Sequence, residues 1–395
     1  MKEITKYDFR KEANKGLLRA WDTLLQDFSS IQQSIFGGER VDIPAEYIQL
    51  FNPRHIYMVF VTILDYFHEY QPLDKVEWFI PIKYKGTIFQ MGNLKYGFRI
   101  YVFDIDKEDP IVNEFIKRLH SLIKLSDGLI SPYLDELMQR GEFTLKNDYY
   151  FLFEMYCFYK DKLIENEKEI LKLSEAMKVH DIQRKELIDK RKEKVGRKAE
   201  SFYYFYALMD SFFSLLEHLC VLLLAMDKDY NSGNENVQDF IFNTNWTEKY
   251  NRIFKDNLIF KKRYNKLHIV KEKYRNTFSH GGFEKNGNPV FVHVPGVGAL
   301  PIALSKFKDT VRSTYLPIQN ETYEELIKVF EDYFVEIESD KTFSRKLKII
   351  KSMRDIIYNH EYHQKYTEAV KSNKKLNDFF KIEDLLLARY MDMDW

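Results

Sequence analysis

The sequence predicts a mainly α-helical protein whose N-terminal part also contains a small antiparallel sheet. Long stretches after Pro110 repeat apolar residues at helical spacing, which is typical of helices that bury one face. Between residues 76 and 105, short apolar runs alternate with turn residues, as in strands joined by tight turns. The 395 residues are 45% hydrophobic and 16% aromatic, which is ample apolar material for two or three cores.

Residues 1–145 are predicted as an α+β domain with a sensor or substrate-recognition role. We expect helices over 6–35 and 55–70, and strands over 76–84, 87–91 and 96–105. Lys85-Gly86 and Gly92-Asn93 carry the turn chemistry that separates these strands. Helices resume at Pro110, with turn signals near 127–128 and 140–141.

Residues 147–340 are predicted as a helical domain, followed by a helical C-terminal extension over 341–395. The pattern is helical over 147–226, and its charged part at 160–198 predicts an exposed antiparallel hairpin or coiled-coil arm. The end of this arm is rich in cations, namely Arg184, Lys185, Lys190, Arg191, Lys192, Lys194, Arg197 and Lys198. Two interpretations stay open, a solvated face and a face that contacts RNA phosphates.

Residues 201–226 are too apolar to lie on a surface and predict a buried helix. Its polar residues, apart from Ser211, are spaced to form one stripe, and they are Asp210, Ser214, Glu217 and His218. A buried carboxylate is costly unless a cation meets it, so we expect Arg275 to pair with Glu217 or Asp210. The alternative is an ion pair that only holds the core together, or a seam for a partner helix.

Further along, helices are expected over 237–254 and 257–276. A short hairpin should follow, with a turn at 285–288 and a strand at 290–294, then a loop at 295–298. The pattern over 320–395 is again helical.

The segment 273–282 contains Arg275, Asn276 and His280 and ends in Gly281-Gly282. A Gly-Gly pair after a helical pattern ends a helix, which leaves His280 at a terminus that can be repositioned. A guanidinium holds a phosphate through its planar fork, and an imidazole moves a proton near neutral pH. Together they can carry out phosphodiester chemistry.

The same Arg-to-His spacing class occurs at Arg263/His268 and Arg354/His360, and roughly one match is expected by chance. Arg263 lies in a basic run that predicts a solvated face with no helix terminator after it. Arg354 is predicted to face water from an amphipathic helix over 348–357. Context therefore favours Arg275/His280.

Arg275-Asn276-x-x-x-His280 resembles the signature of the HEPN superfamily of ribonucleases and ribonuclease-derived domains: Arg, four to six residues, then His, often with a polar residue after the Arg. The resemblance implies a HEPN-like helical bundle and a metal-independent endoribonuclease without a cofactor. It would leave 2′,3′-cyclic phosphate and 5′-hydroxyl ends. The implied catalytic residues are Arg275, His280 and Asn276, supported by Glu217 or Asp210. Family members often act as homodimers and as toxins in toxin–antitoxin or phage-defence systems, with tRNA among their targets.

Lys and Arg total 60 against 60 Asp and Glu, so any RNA contact must be local. Cys157 and Cys220 lie in apolar stretches, as reduced cytoplasmic thiols do. Charges interrupt the longest apolar run, which argues against a membrane span. The expected partners are RNA, a second copy of the chain and an antitoxin or other protein. The alternative function is a non-catalytic HEPN-like sensor or scaffold that binds protein, nucleotide or RNA.

Overall fold

The protein is described by a computed structural model covering residues 7–392, with gaps at 12, 33–37, 49, 67–75, 96, 179–182, 232–234, 272–289, 296–297, 308–309 and 316–321. It forms two compact units, Met1–Met138 with Phe380–Trp395, and Gln139–Phe379. The first unit contains α-helices and a sheet, and the second is mostly helical. The predicted mainly α fold with an N-terminal α+β part is confirmed. Residues 341–379 belong to the second unit, so only the end of the predicted C-terminal extension groups elsewhere.

The first unit is built on a five-stranded antiparallel sheet with the strand order β1-β3-β4-β5-β2. Its helices are α1 (Lys15–Leu25), α2 (Ala45–Ile48), α3 (Pro53–Tyr57), which continues as a π-helical segment over Met58–Ile63, and α4 (Pro110–Gln139). Its strands are β1 (Phe28–Ser30), β2 (Glu39–Arg40), β3 (Val76–Tyr84), β4 (Thr87–Leu94) and β5 (Gly97–Val102).

Alternation along the strands explains how this sheet is packed. Ile80, Ile82 and Tyr84 of β3 are buried on one face, because successive strand residues point to opposite sides. Phe89 of β4 stacks on Phe115 of α4 with ring centroids 3.9 Å apart. The core of this unit therefore lies between the sheet and α4.

Several sequence predictions for this unit are wrong in detail. The predicted helix over 6–35 is α1 followed by strand β1, and the helix predicted to residue 70 ends with the π-helical segment at Ile63. α4 also continues through residues 127–128, where a turn was predicted.

The two predicted turns have opposite outcomes. Lys85-Gly86 is a turn, with φ of 46° and 92° that match the left-handed positions of a tight hairpin. Gly92-Asn93 is not a turn, because β4 runs through it to Leu94. A Cβ at residue 92 would collide with the Phe79 ring, so a glycine is needed in the middle of this strand.

The second unit contains α5 (Tyr149–Ala176), α6 (Arg184–Leu224), α7 (Val237–Phe242), α8 (Trp246–Phe254), α9 (Leu258–Val270), α10 (Tyr323–Ser339), α11 (Lys341–Lys351), α12 (His360–Ala369) and the start of α13 (Asn373–Asp392). Strands β6 (Thr144–Leu145) and β10 (Ile356–Ile357) pair with each other. Strands β7 (Val290–Val294), β8 (Gly298–Phe307) and β9 (Thr310–Tyr315) form an antiparallel sheet in that order.

Helices α5 and α6 form the antiparallel hairpin that the charge pattern predicts. Asn166 of α5 donates to the Ser201 hydroxyl at 2.9 Å, and Tyr156 packs on Phe212 further along the pair. Phe212 also stacks on Phe330 of α10, at 4.0 Å between centroids. α6 is long and apolar enough to span a membrane, but 72% of its most apolar window is buried inside the protein, as in the core helix of a soluble protein.

Two features of the second unit differ from prediction. The helix predicted over 237–254 is divided into α7 and α8, because the Asn245 side chain caps a new helix at the Glu248 amide. Strand β7 is predicted correctly, whereas β8 and β9 were not predicted. The predicted turn at 285–288 lies outside the described residues.

Candidate functional site

The predicted site residues divide into two groups. Arg275, Asn276 and His280 lie outside the described residues. Asp210 and Glu217 are described and lie on α6. The geometry on α6 and the path of the chain up to Lys271 are therefore what the structure describes of the candidate site.

The polar stripe on α6 is present as the periodicity predicts. Between residues 208 and 226, every residue is buried except Asp210, Ser214, Glu217 and His218. Ser211 is the buried exception among the polar residues, and its hydroxyl donates to the Leu208 carbonyl at 2.9 Å. The stripe is thus a narrow accessible line along an otherwise enclosed helix.

Glu217 pairs with Lys249 of α8. The Lys249 Nζ lies 2.5 Å from Glu217 Oε1 and also donates to the Ile241 carbonyl at 2.7 Å. The Lys249 side chain is 3% exposed, whereas that of Glu217 is 36% exposed. A buried ammonium must be met by acceptors, so Glu217 and Ile241 make its burial tolerable while water still reaches the carboxylate.

Lys249 is not among the predicted site residues, although its position in the sequence carries a signal. The apolar residues of α8 recur at positions 246, 250, 253 and 254, and residue 249 falls within the same face. A lysine at such a position is expected to have a buried acidic partner. The expected partner of Glu217 was Arg275; among the described residues the cation that it contacts is Lys249.

His218 has a structural role at the start of α5. Its Nε2 accepts a hydrogen bond from the backbone N–H of Asp148, at 3.1 Å, and Asp148 is the residue before the first turn of that helix. Burial lowers the pKa of His218, and the nearby Asp148 carboxylate opposes this only in part. The neutral imidazole is therefore the form that the folded protein favours.

The chain approaches the Arg275 motif over an aromatic platform. Trp246 stacks on Tyr264 at 5.6 Å, and Tyr264 stacks on His268 at 5.4 Å. The Lys271 Nζ lies 4.8 Å from the Trp246 ring centroid and 6.0 Å from that of Phe213 on α6. Cation–π attraction of this kind holds Lys271 beside α6 at the last described residue before the motif.

The competing pair at Arg263/His268 is excluded as a free phosphate-binding pair. Arg263 was predicted on a solvated basic face, and this is wrong: it is buried and bonds Glu336 of α10 through two nitrogens, with Nε to Oε2 at 2.8 Å. Asp332 lies 3.4 Å from another of its nitrogens. The bidentate bond to Glu336 raises the pKa of Arg263, which stays a fixed structural cation.

The pair at Arg354/His360 is also placed differently from prediction. The predicted amphipathic helix over 348–357 ends at Lys351, and Ile356–Ile357 is strand β10. Met353 has a φ of 62°, so the chain leaves the helix through a left-handed residue just before Arg354. His360 is exposed at the start of α12.

No family model, curated protein or solved structure matches this chain. In the described part of the chain, no group of three or more His, Cys, Asp and Glu side chains is arranged to hold a metal ion. The candidate site therefore rests on this chain's own residues: the stripe on α6, the Glu217–Lys249 pair and the approach of the chain at Lys271.

Proposed function

We propose that this protein is a metal-independent endoribonuclease of the HEPN type. The 2′-hydroxyl of RNA attacks the adjacent phosphorus, the bond from phosphorus to the 5′ oxygen breaks, and the products carry a 2′,3′-cyclic phosphate and a 5′-hydroxyl. His280 acts as general acid or base. Arg275 holds the phosphate and its developing charge, and Asn276 orients one of them. Glu217 or Asp210 aligns Arg275.

The observation that carries this proposal is the position of Lys271. Its ammonium lies over Phe213, and Asp210 and Glu217 are three and four residues away from Phe213 on the same face of α6. Arg275 follows Lys271 by four residues, a length of chain that spans at most about 14 Å. This short tether from a residue held beside α6 supports Arg275 as the partner of the stripe.

A second observation supports the choice of motif. Among the three Arg-to-His matches, Arg263 is committed to Glu336 and Asp332. All three guanidinium nitrogens of Arg263 are engaged by these two carboxylates, so it has no fork left to hold a phosphate. This favours Arg275 as the phosphate-binding residue.

The test is to sequence RNA 5′-hydroxyl ends after expression of the wild type, His280→Ala and Arg275→Ala. New 5′-hydroxyl ends should appear with the wild type, persist in excess chelator in vitro, and vanish in both variants. His360→Ala is the matched control, since it removes an exposed histidine from another Arg-to-His match and should leave cleavage unchanged. Full cleavage by His280→Ala would refute the proposal.

The proposed assembly is a cytoplasmic homodimer with the two Arg275/His280 motifs facing each other. One Arg and one His give a single site few groups with which to hold both the attacking and leaving oxygens, and a two-fold axis doubles them. Co-expressing tagged Arg275→Ala and tagged His280→Ala chains should restore cleavage if one protomer of the dimer supplies His280 and the other supplies Arg275. Cleavage by a monomer would contradict the composite site.

The proposed role is a toxin in toxin–antitoxin or phage defence, with tRNA among the candidate targets.

The second candidate is a non-catalytic scaffold, and the first unit favours it. That unit has its own aromatic core and sheet, as an independent binding domain does, and the whole chain has no net charge. Growth during expression separates the two functions. An active ribonuclease inhibits growth and Arg275→Ala relieves the inhibition, whereas a scaffold gives no such dependence.

A further inference from the structure

One face of the first half of α6 carries a row of exposed cations that form no ion pair with any described residue. We define the basic stripe as Arg184, Lys185, Arg191, Lys192 and Lys198. Arg184, Arg191 and Lys198 are seven residues apart, as are Lys185 and Lys192. Seven residues return a helix to within about 20° of the same direction, so each set forms a line along α6.

The stripe is exposed and uncompensated. All five side chains are exposed, and none forms an ion pair with any described residue. Other cations of the same helix segment are paired, Lys190 with Glu186 at 2.9 Å and Arg197 with Glu193 at 3.1 Å. Arg197 also donates to Asn166 of α5. Arg197 therefore joins the two helices of the hairpin and Lys190 is neutralised within α6, whereas the cations of the stripe face outward.

Apolar and aromatic side chains run along the same face. Ile188, Val195 and Phe202 repeat at seven-residue spacing between the two lines of cations. Val195 is 69% exposed and Tyr203, near the end of the stripe, is 65% exposed. Glu186, Glu193 and Glu200 fall on the other side of the helix, and Asp189 lies at the edge of the face, four residues after Lys185 and three before Lys192, without an ion pair to either. Between the two lines of cations the face thus presents only apolar side chains.

We propose that the basic stripe with Tyr203 binds single-stranded RNA, as the surface that brings the substrate to the α6 site. Charge complementarity identifies the occupant, since a local row of unpaired cations on a chain of zero net charge is matched by a polyanion. Exposed aromatic rings beside such a row stack bases without a sequence preference. This inference rests on the proposed ribonuclease function.

The charge pattern disfavours the other occupants. A second copy of this face would bring like charges together. A membrane surface requires a wide apolar face, whereas cations flank the narrow apolar line here on both sides. The stripe and Glu217 also share one continuous helix, with Lys198 and Glu217 about 28 Å apart along it.

Binding is measured on the full-length His280→Ala chain, with a fluorescein-labelled single-stranded RNA of about 20 nucleotides. If five phosphates are neutralised, log Kobs falls against log salt with a slope of about −3.5, or about 100-fold between roughly 50 and 200 mM. Adding Arg191→Ala and Lys198→Ala should reduce the magnitude of the slope by about 1.4. Tyr203→Ala should weaken binding at least about fivefold, and Tyr203→Phe should retain it.

The matched control is Lys117→Ala with Lys124→Ala, two exposed cations seven residues apart on α4, which should leave the slope unchanged. Equal slopes for the stripe variant and the parent chain would overturn the inference, and so would binding to phosphatidylserine vesicles in place of RNA. The RNA-binding and ribonuclease proposals are separated with chains that keep His280. These chains are given a dinucleotide, which is too short to reach the stripe, and its cleavage is measured. A stripe variant that cleaves the dinucleotide but binds long RNA weakly supports both. If the stripe variant loses RNA binding but the wild type cleaves no RNA, the proposed RNA-binding surface stands and the proposed ribonuclease function is rejected.

Discussion

At the scale of single residues, the Glu217–Lys249 pair is asymmetric, because only the ammonium is buried. Glu217→Met leaves that ammonium with the Ile241 carbonyl alone, and we expect the unfolding free energy to fall by about 2–3 kcal/mol. Lys249→Met leaves a carboxylate that water can solvate and should cost about 1 kcal/mol. Urea denaturation gives both values, with Lys162→Gln at an exposed pair as a near-neutral control. A larger loss in Lys249→Met than in Glu217→Met would contradict this account.

A second residue-scale prediction concerns His218 and pH. Burial lowers its folded-state pKa below the unfolded value, so the unfolded chain takes up a proton first as pH falls. The contribution of His218 to stability is therefore complete above about pH 6.5 and is lost as pH falls toward the lowered folded-state pKa. His218→Gln can still accept from the Asp148 N–H but does not titrate. Between pH 7.5 and 5.5 the unfolding free energy of the wild type should fall relative to that of His218→Gln. A difference that stays constant with pH would exclude a contribution from His218 protonation.

At the scale of secondary-structure elements, replacing two glycines by alanine should have opposite effects on stability. Gly92→Ala places a methyl group against the Phe79 ring between β3 and β4, and we expect a loss of about 1–3 kcal/mol. Gly196→Ala lies inside α6 with open space at its Cβ position and should add about 1 kcal/mol through helix propensity. Thermal unfolding of the two variants measures both signs. A neutral Gly92→Ala would mean that the ring moves aside without cost.

At the scale of the whole molecule, the two compact units predict separable unfolding. Calorimetry of the intact chain should resolve two transitions. Gly92→Ala should lower the Tm of one transition and Glu217→Met that of the other, because the two changes lie in different units. A single transition that both substitutions shift equally would show that the units unfold together.

What could be predicted from the sequence was what depends on local periodicity. The hydrophobic spacing over 201–226 predicts both the buried helix and its polar stripe, since a helix repeats its faces regularly wherever it lies. The charge pattern over 160–198 likewise predicts the α5/α6 hairpin. Lys85-Gly86 predicts its turn because its backbone angles are a local property.

Which polar groups meet depends on how distant parts of the chain pack. Arg263 looks like part of a basic solvated run, yet it is buried because Glu336, distant in sequence, meets its guanidinium. Gly92 looks like a turn residue, yet it continues a strand because β4 pairs there with both β3 and β5. The helical character, the sheet and the α6 stripe could all be read from the sequence, because they follow from short-range spacing. The partners of Glu217, Arg263 and His218 were decided by packing, because charges and hydrogen-bonding groups pair across distances in sequence that no local pattern encodes.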